Sequence, residues 1–293
     1  MILYDRRMLR TFGRRTFDFG RQVAVMAIVN RTPDSFYDGG ATFGLDAAVA
    51  AAERALAEGA DWLDVGGVKA GPGAHVTERE ELDRVLPVVE AMRPRTDAVI
   101  SVDTFRAGVA RRALAAGADV VNDPSGLRDP EVAEAAAEAG AGLVVMHTGG
   151  PPRTRPHRPA YVDVVAEVGA FLADRAAVAR QRGVPAERLI VDPGHDFHKN
   201  TFHSLELTRR LDELTGLGYP LLVALSNKDF VGETLDVSLD ERLEGGLAAT
   251  VVSVLKGASI VRVHQVQATV RVVRMTEAIL GRRRPAVTRR GLA

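Results

Sequence analysis

The sequence predicts an α/β protein of the (β/α)8 TIM barrel class, eight parallel strands ringed by helices, with a short N-terminal hairpin. Three observations predict it. Eight short apolar runs recur along the 293 residues without polar alternation, as strands buried on both faces do. Amphipathic helical patterns lie between them. Four times a Gly-Ala pair closes an Ala-, Glu- and Arg-rich stretch just before an apolar run: Gly59-Ala60, Gly117-Ala118, Gly140-Ala141 and Gly257-Ala258. Glycine takes the left-handed conformation that ends a helix, so the chain turns directly into a buried strand. An open doubly wound sheet is the alternative architecture.

In chain order, residues 1–22 form an N-terminal extension in which Arg10–Arg21 reads as a hairpin laid before the first barrel strand. The strand runs are Val23–Val29, Trp62–Val65, Ala98–Val102, Val120–Val121, Leu143–Met146, Leu189–Val191, Leu221–Leu225 and Ile260–Val263. Leu45, Val49, Ala52 and Leu56 fall on one helical face, as do Leu82, Val85, Leu86 and Val89. Tyr161–Arg182 reads as a longer helix, and residues 282–293 as a solvated basic tail. With no linker and no low-complexity tract, residues 1–293 read as a single domain.

Composition narrows the function. Lys plus Arg and Asp plus Glu both number 38, which argues against a nucleic-acid binder needing a basic excess. The absence of cysteine removes thiol catalysis and Cys-ligated metal centres. No apolar run approaches a membrane span, and the arginine-rich N-terminus is not a secretory signal, so the expected location is cytoplasmic.

Each apolar run ends in a polar residue: Asn30, Asp64, Asp103, Asn122-Asp123, His147, Asp192, Ser226 with Lys228, and Arg262 with His264. Singly, such residues cap helices or shape turns. In a barrel, however, the strand C-termini converge on one mouth, where active sites are built. Several carboxylates, a lysine, an arginine and a histidine in one cavity imply a polar ligand. Asp and Asn suit the donor/acceptor edge of a heterocycle, while Lys228 and Arg262 suit an anion or an aromatic plane. His264 shares a strand face with Arg262, and the two read as an anion clamp. Asn30, on a loop with Thr32, Asp34 and Ser35, is placed to help hold a diphosphate and its metal. His195, Asp196, His198 and His203 read as loop polarity in preference to a metal site, and Gly149-Gly150 as a turn. The basic loop Arg153–Arg158 reads as solvated.

Ordered along the chain stand Asn30-Arg31-Thr32-Pro33-Asp34-Ser35-Phe36, Asp38-Gly39-Gly40, Asp64-Val65-Gly66-Gly67, Ser101-Val102-Asp103-Thr104, Asn122-Asp123, Met146-His147, Asp192-Pro193-Gly194, Ser226-Asn227-Lys228 and Arg262-Val263-His264. This series resembles the dihydropteroate synthase family over nearly the whole chain, and most closely the divergent second paralogue of actinobacteria. The resemblance implies condensation of 6-hydroxymethyl-7,8-dihydropterin diphosphate with p-aminobenzoate, in folate biosynthesis, with Mg2+ and as a homodimer. It implies that Asp103, Asn122, Asp192 and Lys228 hold the pterin and that Arg262 stacks on it. It also implies that Asn30, Arg262 and His264 hold the diphosphate, Asn30 serving the metal. Asp103, Lys228 and Arg262 would carry the chemistry.

The second loop departs from the family. Where the family runs Gly-Gly-Glu-Ser-(Thr or Ser)-Arg-Pro-Gly, this chain has Gly66-Gly67-Val68-Lys69-Ala70-Gly71-Pro72-Gly73, without the hydroxyl and the arginine. Lys69, Pro72 and Ser226 remain as the second-substrate candidates. Lys69 is a point charge, not a planar fork. Asn227 replaces a family arginine, Asp196 replaces a glycine, and Arg31 stands where a small apolar residue is common. The expected function is a dihydropteroate synthase-type transferase with its activity weakened or lost. The alternatives are a pterin-binding paralogue without that activity and a methyltetrahydrofolate-binding domain like those of corrinoid methyltransferases. The Arg262–His264 clamp argues against the last.

Overall fold

A computed structural model describes residues 8–31, 44–69, 71, 73–151, 153–154 and 158–290 of the chain. The hairpin pairs β1 (Leu9–Phe12) with β2 (Arg15–Asp18). The barrel strands are β3 (Ala24–Asn30), β4 (Trp62–Gly66), β5 (Val99–Asp103), β6 (Val120–Asp123), β7 (Gly142–Met146), β8 (Leu189–Asp192), β9 (Leu221–Val223) and β10 (Ala258–Val263). The helices are α1 (Leu45–Ala57), α2 (Glu78–Met92), α3 (Ala107–Ala115), α4 (Glu131–Glu138), α5 (Val164–Gln181), α6 (Thr201–Arg209), α7 (Asp229–Leu235), α8 (Leu243–Leu255) and α9 (Val266–Ile279). Every barrel pairing is parallel, and β10 closes on β3 through Ile260↔Ala24 to Val263↔Ala27. That closure excludes the open sheet. None of the helices among the described residues is long and apolar enough to cross a membrane.

The Gly-Ala pairs act as their chemistry requires. Gly59, Gly117, Gly140 and Gly257 all take positive φ. After the first three, the N–H of Ala60, Ala118 or Ala141 reaches back to the carbonyl of Ala55, Ala113 or Ala136, a bond that closes the helix end. Strand ends shift by one or two residues, and three larger differences from expectation stand out. The long helix begins at Val164, not Tyr161, because the Asp163 side chain accepts the N–H groups of Val165 and Ala166 as its N-cap. The strand expected to reach Leu225 stops at Val223, and two helices follow it, α7 and α8. On α2 the buried stripe is Glu81, Val85, Val88, Val89 and Met92, which leaves Leu82 and Leu86 partly exposed and carries a carboxylate inward.

The barrel interior has an apolar end and a polar end. Trp62, Val99, Val120, Val144, Ile190, Leu222 and Ile260 join Phe12, Phe17 and Phe19 of the hairpin region in one buried cluster. The Phe12 ring meets Trp62 edge-on at 5.0 Å. The hairpin is therefore a plug in the N-terminal mouth. Arg15 ties it to the barrel through the Asp61 carbonyl and carboxylate, and Arg274 of α9 meets the same carboxylate. Two residues further along five of these strands stand Asp64, Ser101, Asn122, Asp192 and Arg262. Since side chains i and i+2 share a face, one pleat, about 7 Å of rise, separates the apolar plug from a charged floor.

Candidate active site

Strand register assembles the floor. Asn30 pairs with Gly66, Gly66 with Asp103, and Asp103 with Asn122, so three polar side chains share one rung across four strands. Arg262 reaches across from β10. Its Nε donates to Asp64 Oδ2 at 2.6 Å and its Nη2 to Asp103 Oδ2 at 2.8 Å. Asn122 Nδ2 donates to the same Asp64 oxygen at 3.1 Å, while Asp64 Oδ1 is buried with no hydrogen-bond partner among the described residues. On the other side, Asp192 Oδ1 accepts the Gly194 N–H at 2.7 Å. The Lys228 ammonium lies 4.5 Å from the centre of the Phe197 ring.

These groups shift one another's protonation. Burial pushes the Asp103 carboxyl up to about 7 against the pull of Arg262, with Asp64 and Glu81 adding to the rise. Burial also raises Asp192 and lowers Lys228, and for Lys228 it is opposed by Asp196 and Asp192. For Arg262, burial works against the charge, yet Asp64 and Asp103 hold the guanidinium above its usual range. The expected anion clamp is therefore modified. Arg262 and His264 do line one cavity, but two guanidinium nitrogens of Arg262 are already held by carboxylates. His264 Nδ1 lies 3.1 Å from Ser226 Oγ, which donates to Gln265 Oε1.

The cavity above the floor has a volume of ≈ 380 Å³. Asn30, Lys69, Asp103, Ser226, Lys228, Arg262 and His264 line it, so seven candidates meet there. Asn122 and Asp192 are buried against the same cluster, through Asp64 and the fields of Lys228 and Arg262. Pro72, Ala70, Thr32, Asp34 and Ser35 lie outside the described residues. Asp123 faces away from the floor and accepts the N–H groups of Ser125 and Leu127, shaping the next loop.

Two expectations about loops are refined. Arg153 is not simply solvated: its guanidinium donates to the carbonyls of Gly71 and Ala74, tying the basic loop to the second loop. Arg31 turns away from the cavity to the carbonyls of Asp83 and Arg84 on α2. The histidines after β8 disperse as loop polarity. His195 is buried against Thr208, and His203 completes a capping box with Asn200. His198 packs over Gly149-Gly150, where a Cβ on Gly149 would come within 2.8 Å of it. No group of three or more metal-ligating side chains occurs among the described residues.

Three site residues carried little or no sequence signal of their role. Glu81, on α2, pairs with Arg106 beside Asp103. Its signal was a charge on the apolar stripe with Val85 and Met92. Lys199 lines the cavity and donates from Nζ to His147 Nδ1, Gly194 O and Phe197 O at 2.8, 2.9 and 3.0 Å. Burial lowers it to about 7, and lowers His147 to about 3. Asp196, read from sequence as a replaced glycine and as loop polarity beside His195 and His198, takes φ 66° and accepts the N–H groups of Asp229 and Phe230 at 2.6 and 3.3 Å.

Residues 26–264 match the family of pterin binding enzymes. The chain is 56% identical over 289 residues to a Mycobacterium leprae protein named inactive dihydropteroate synthase 2, covering 94% of this chain and 98% of that one. It is 44% identical over 257 residues to the dihydropteroate synthase of Escherichia coli, covering 87% and 91% of the two chains. The dihydropteroate synthase of Xanthomonas albilineans, solved in complex with 7,8-dihydropteroate, matches with a TM-score of 0.83 at 39% identity, over 96% of this chain and all of that one.

Proposed function

The chain belongs to the pterin binding enzyme family, as a dihydropteroate synthase-type protein, and we propose that it binds a pterin diphosphate but performs the family condensation slowly or not at all. The observation that carries this reading is the contrast between the two halves of the cavity. Asp64, Asp103, Asn122 and Arg262 form a connected, pre-assembled floor, and Asp192 and Lys228 stand beside it. The second loop offers Lys69 and Gly71 where the family pattern that the sequence resembles has a serine and an arginine. The name of the Mycobacterium leprae relative supports the same conclusion.

In this reading Asp103, Asn122, Asp192 and Lys228 hold the donor/acceptor edge of the pterin, and Arg262 lies against its plane. Arg262, His264 and Asn30 face the diphosphate. In the family reaction the amine nitrogen bonds to the exocyclic methylene carbon. The carbon–oxygen bond breaks, and its electron pair leaves with the diphosphate. The amine proton passes to water or to the departing group. Ionised Asp103 stabilises positive charge on the ring as that bond breaks. Mg2+ fits as an ion arriving with the substrate: Asn30 offers one amide oxygen, and magnesium is often held by few protein oxygens plus phosphates. When bound, it would neutralise diphosphate charge.

Restoring the loop tests the proposal. Losing one oriented group that stabilises developing charge costs on the order of 10²–10³ in rate. A Cβ at Gly71 meets nothing within 4 Å, so the first atom of an introduced side chain meets no described neighbour. The double substitution Ala70→Thr, Gly71→Arg should raise dihydropteroate formation from the pterin diphosphate and p-aminobenzoate. Native turnover at an ordinary family rate, or a fall in the double variant, overturns the reading.

A homodimer belongs to the same proposal. The adjacent helices α8 and α9 expose Val252, Leu255, Met275 and Ile279, an apolar face that a second copy would cover. Sedimentation velocity reads this directly. The reading also carries a cytoplasmic location, because a charged diphosphate stays on the side of a membrane where it is made.

A further inference from the structure

The helix α2 anchors the bases of two cavity loops, and one anchor uses a break in its own hydrogen bonding. Pro87 lies inside α2. Proline has no N–H, and its ring crowds the carbonyl four residues back, so the Asp83 carbonyl is left without its helical donor. Such a carbonyl takes its hydrogen bond from a side chain or from water. Here Arg31 supplies it. Its Nη1 donates to the Asp83 carbonyl at 2.9 Å and to the Arg84 carbonyl at 3.0 Å. Partial burial and the neighbouring Arg84 guanidinium both work against the charge on Arg31. The two carbonyl acceptors offset that cost.

The second loop rests on the same helix. A Cβ on Gly67 would come within 3.0 Å of the Val85 side chain and 3.2 Å of the Glu81 carbonyl. Arg84 Nη1 donates to the Gly67 carbonyl at 2.9 Å. The two arginines thus run in opposite directions, Arg31 from the first loop to the backbone of α2, and Arg84 from α2 to the backbone of the second loop. The Arg31 N–H also donates to the Gly66 carbonyl at 2.8 Å. Residue 31 is therefore fixed both at its backbone and at the far end of its side chain. Its neighbour Asn30 lines the cavity. A Cβ on Gly66 would meet Asn30 Oδ1 at 3.1 Å and Asp103 Cβ at 3.6 Å, so the missing side chain leaves the gap in which the Asn30 amide sits beside Asp103.

We propose that Arg31 is a positioning residue for the diphosphate: docked in the notch that Pro87 opens in α2, it holds the Asn30 amide toward the anion without touching the ligand itself. The proposal rests on the reading of the cavity as a pterin diphosphate site. It accounts for a cation next to Asn30 that points away from an anion-binding cavity. Tying down the loop base orders Asn30 before the ligand arrives, so that ordering is not charged against binding.

The test is calorimetry on the full chain with 6-hydroxymethyl-7,8-dihydropterin diphosphate and with the free pterin alcohol. Arg31→Leu should weaken the diphosphate by about three- to tenfold, the contribution of one well-placed hydrogen bond, and leave the alcohol unchanged. Arg31→Lys keeps a donor without the planar fork and should recover part of the loss. Pro87→Ala attacks the same contact from the helix side. It returns an N–H to the Asp83 carbonyl, so it should weaken the diphosphate selectively while raising the urea midpoint. The double variant should lose no more than Arg31→Leu alone, because both substitutions break one contact. Equal losses for the two ligands, an unchanged diphosphate affinity in folded Arg31→Leu, or additive losses in the double variant overturns the proposal. The native protein separates the two readings: binding of both ligands with indifferent variants sinks only this one, whereas binding of neither sinks the reading beneath it.

Discussion

Asp192 and Arg262 differ in what their removal does, although both belong to the floor. Asp192 accepts one backbone N–H, from Gly194, and keeps the rest of its acceptor capacity for a ligand. Asp192→Ala should weaken pterin binding by about 1–3 kcal/mol, because ligand donors are left unpaired in a buried site. Unchanged pterin affinity in a folded variant, measured by calorimetry, would remove Asp192 from the site. Arg262 is bound into the structure as well as the site. Deleting its guanidinium strands the carboxylates of Asp64 and Asp103, a loss on the order of 3–5 kcal/mol in stability. Diphosphate recognition is better probed at His264, whose ring lies against Ser226 at the cavity wall. His264→Ala should weaken binding of the pterin diphosphate by tenfold or more, about 1.4 kcal/mol, and leave the free pterin alcohol unaffected. Equal losses for both ligands would mean that His264 only shapes the wall.

The loop after β8 is an element whose integrity depends on a single buried amine. Lys199 joins this loop to the end of β7 through His147, Gly194 and Phe197. Its folded pKa is about 7, against an ordinary value of 10.5. As pH falls from 10.5 to 7, the unfolded chain takes up a proton that the folded chain does not, so the stabilising difference is present at high pH and lost on the way down. Between pH 9.5 and 7.5 this amounts to up to about 2–3 kcal/mol. Urea unfolding should show that loss in the native protein, and Lys199→Met should abolish that part of it. Identical slopes in both proteins would show that Lys199 stays charged. This element also shows where sequence reading ends. Strands were legible because burial on both faces removes alternation, and their polar termini were legible because a charge ending such a run stands out. The pairing of Arg262 with Asp64, 198 residues apart, was not, because it depends on barrel closure and register. Lys199 was hidden among loop residues whose polarity needed no explanation. The inward turn of Glu81 followed from the placement of the α2 stripe, one residue from the face that the leucines suggested. The direct tie of Arg153 to Gly71 was equally unreadable, since it joins two loops through backbone carbonyls that every residue carries.

At the scale of the whole molecule, stability and chemistry occupy opposite ends of one barrel. Every barrel strand contributes to the apolar layer, β3 with both Ala24 and Met26, and on β4, β5, β6, β8 and β10 the residue two places on faces the polar layer: Trp62 then Asp64, Val99 then Ser101, Val120 then Asn122, Ile190 then Asp192, Ile260 then Arg262. The apolar layer therefore does two things. It buries the aromatic plug of the hairpin, and it stands between that plug and the charged floor. Phe12 is fully buried, against Trp62 and Gly142 of β7. Phe12→Ala should lower unfolding stability by about 3–5 kcal/mol, the transfer loss plus the cavity left in a packed interior. The floor is fixed by its own ion pairs and by strand register, neither of which involves Phe12. Pterin affinity should consequently stay within twofold of the native value while the urea midpoint falls. If affinity drops in step with stability under conditions where the variant is folded, the plug transmits to the floor through the barrel interior, and the two ends are one cooperative unit.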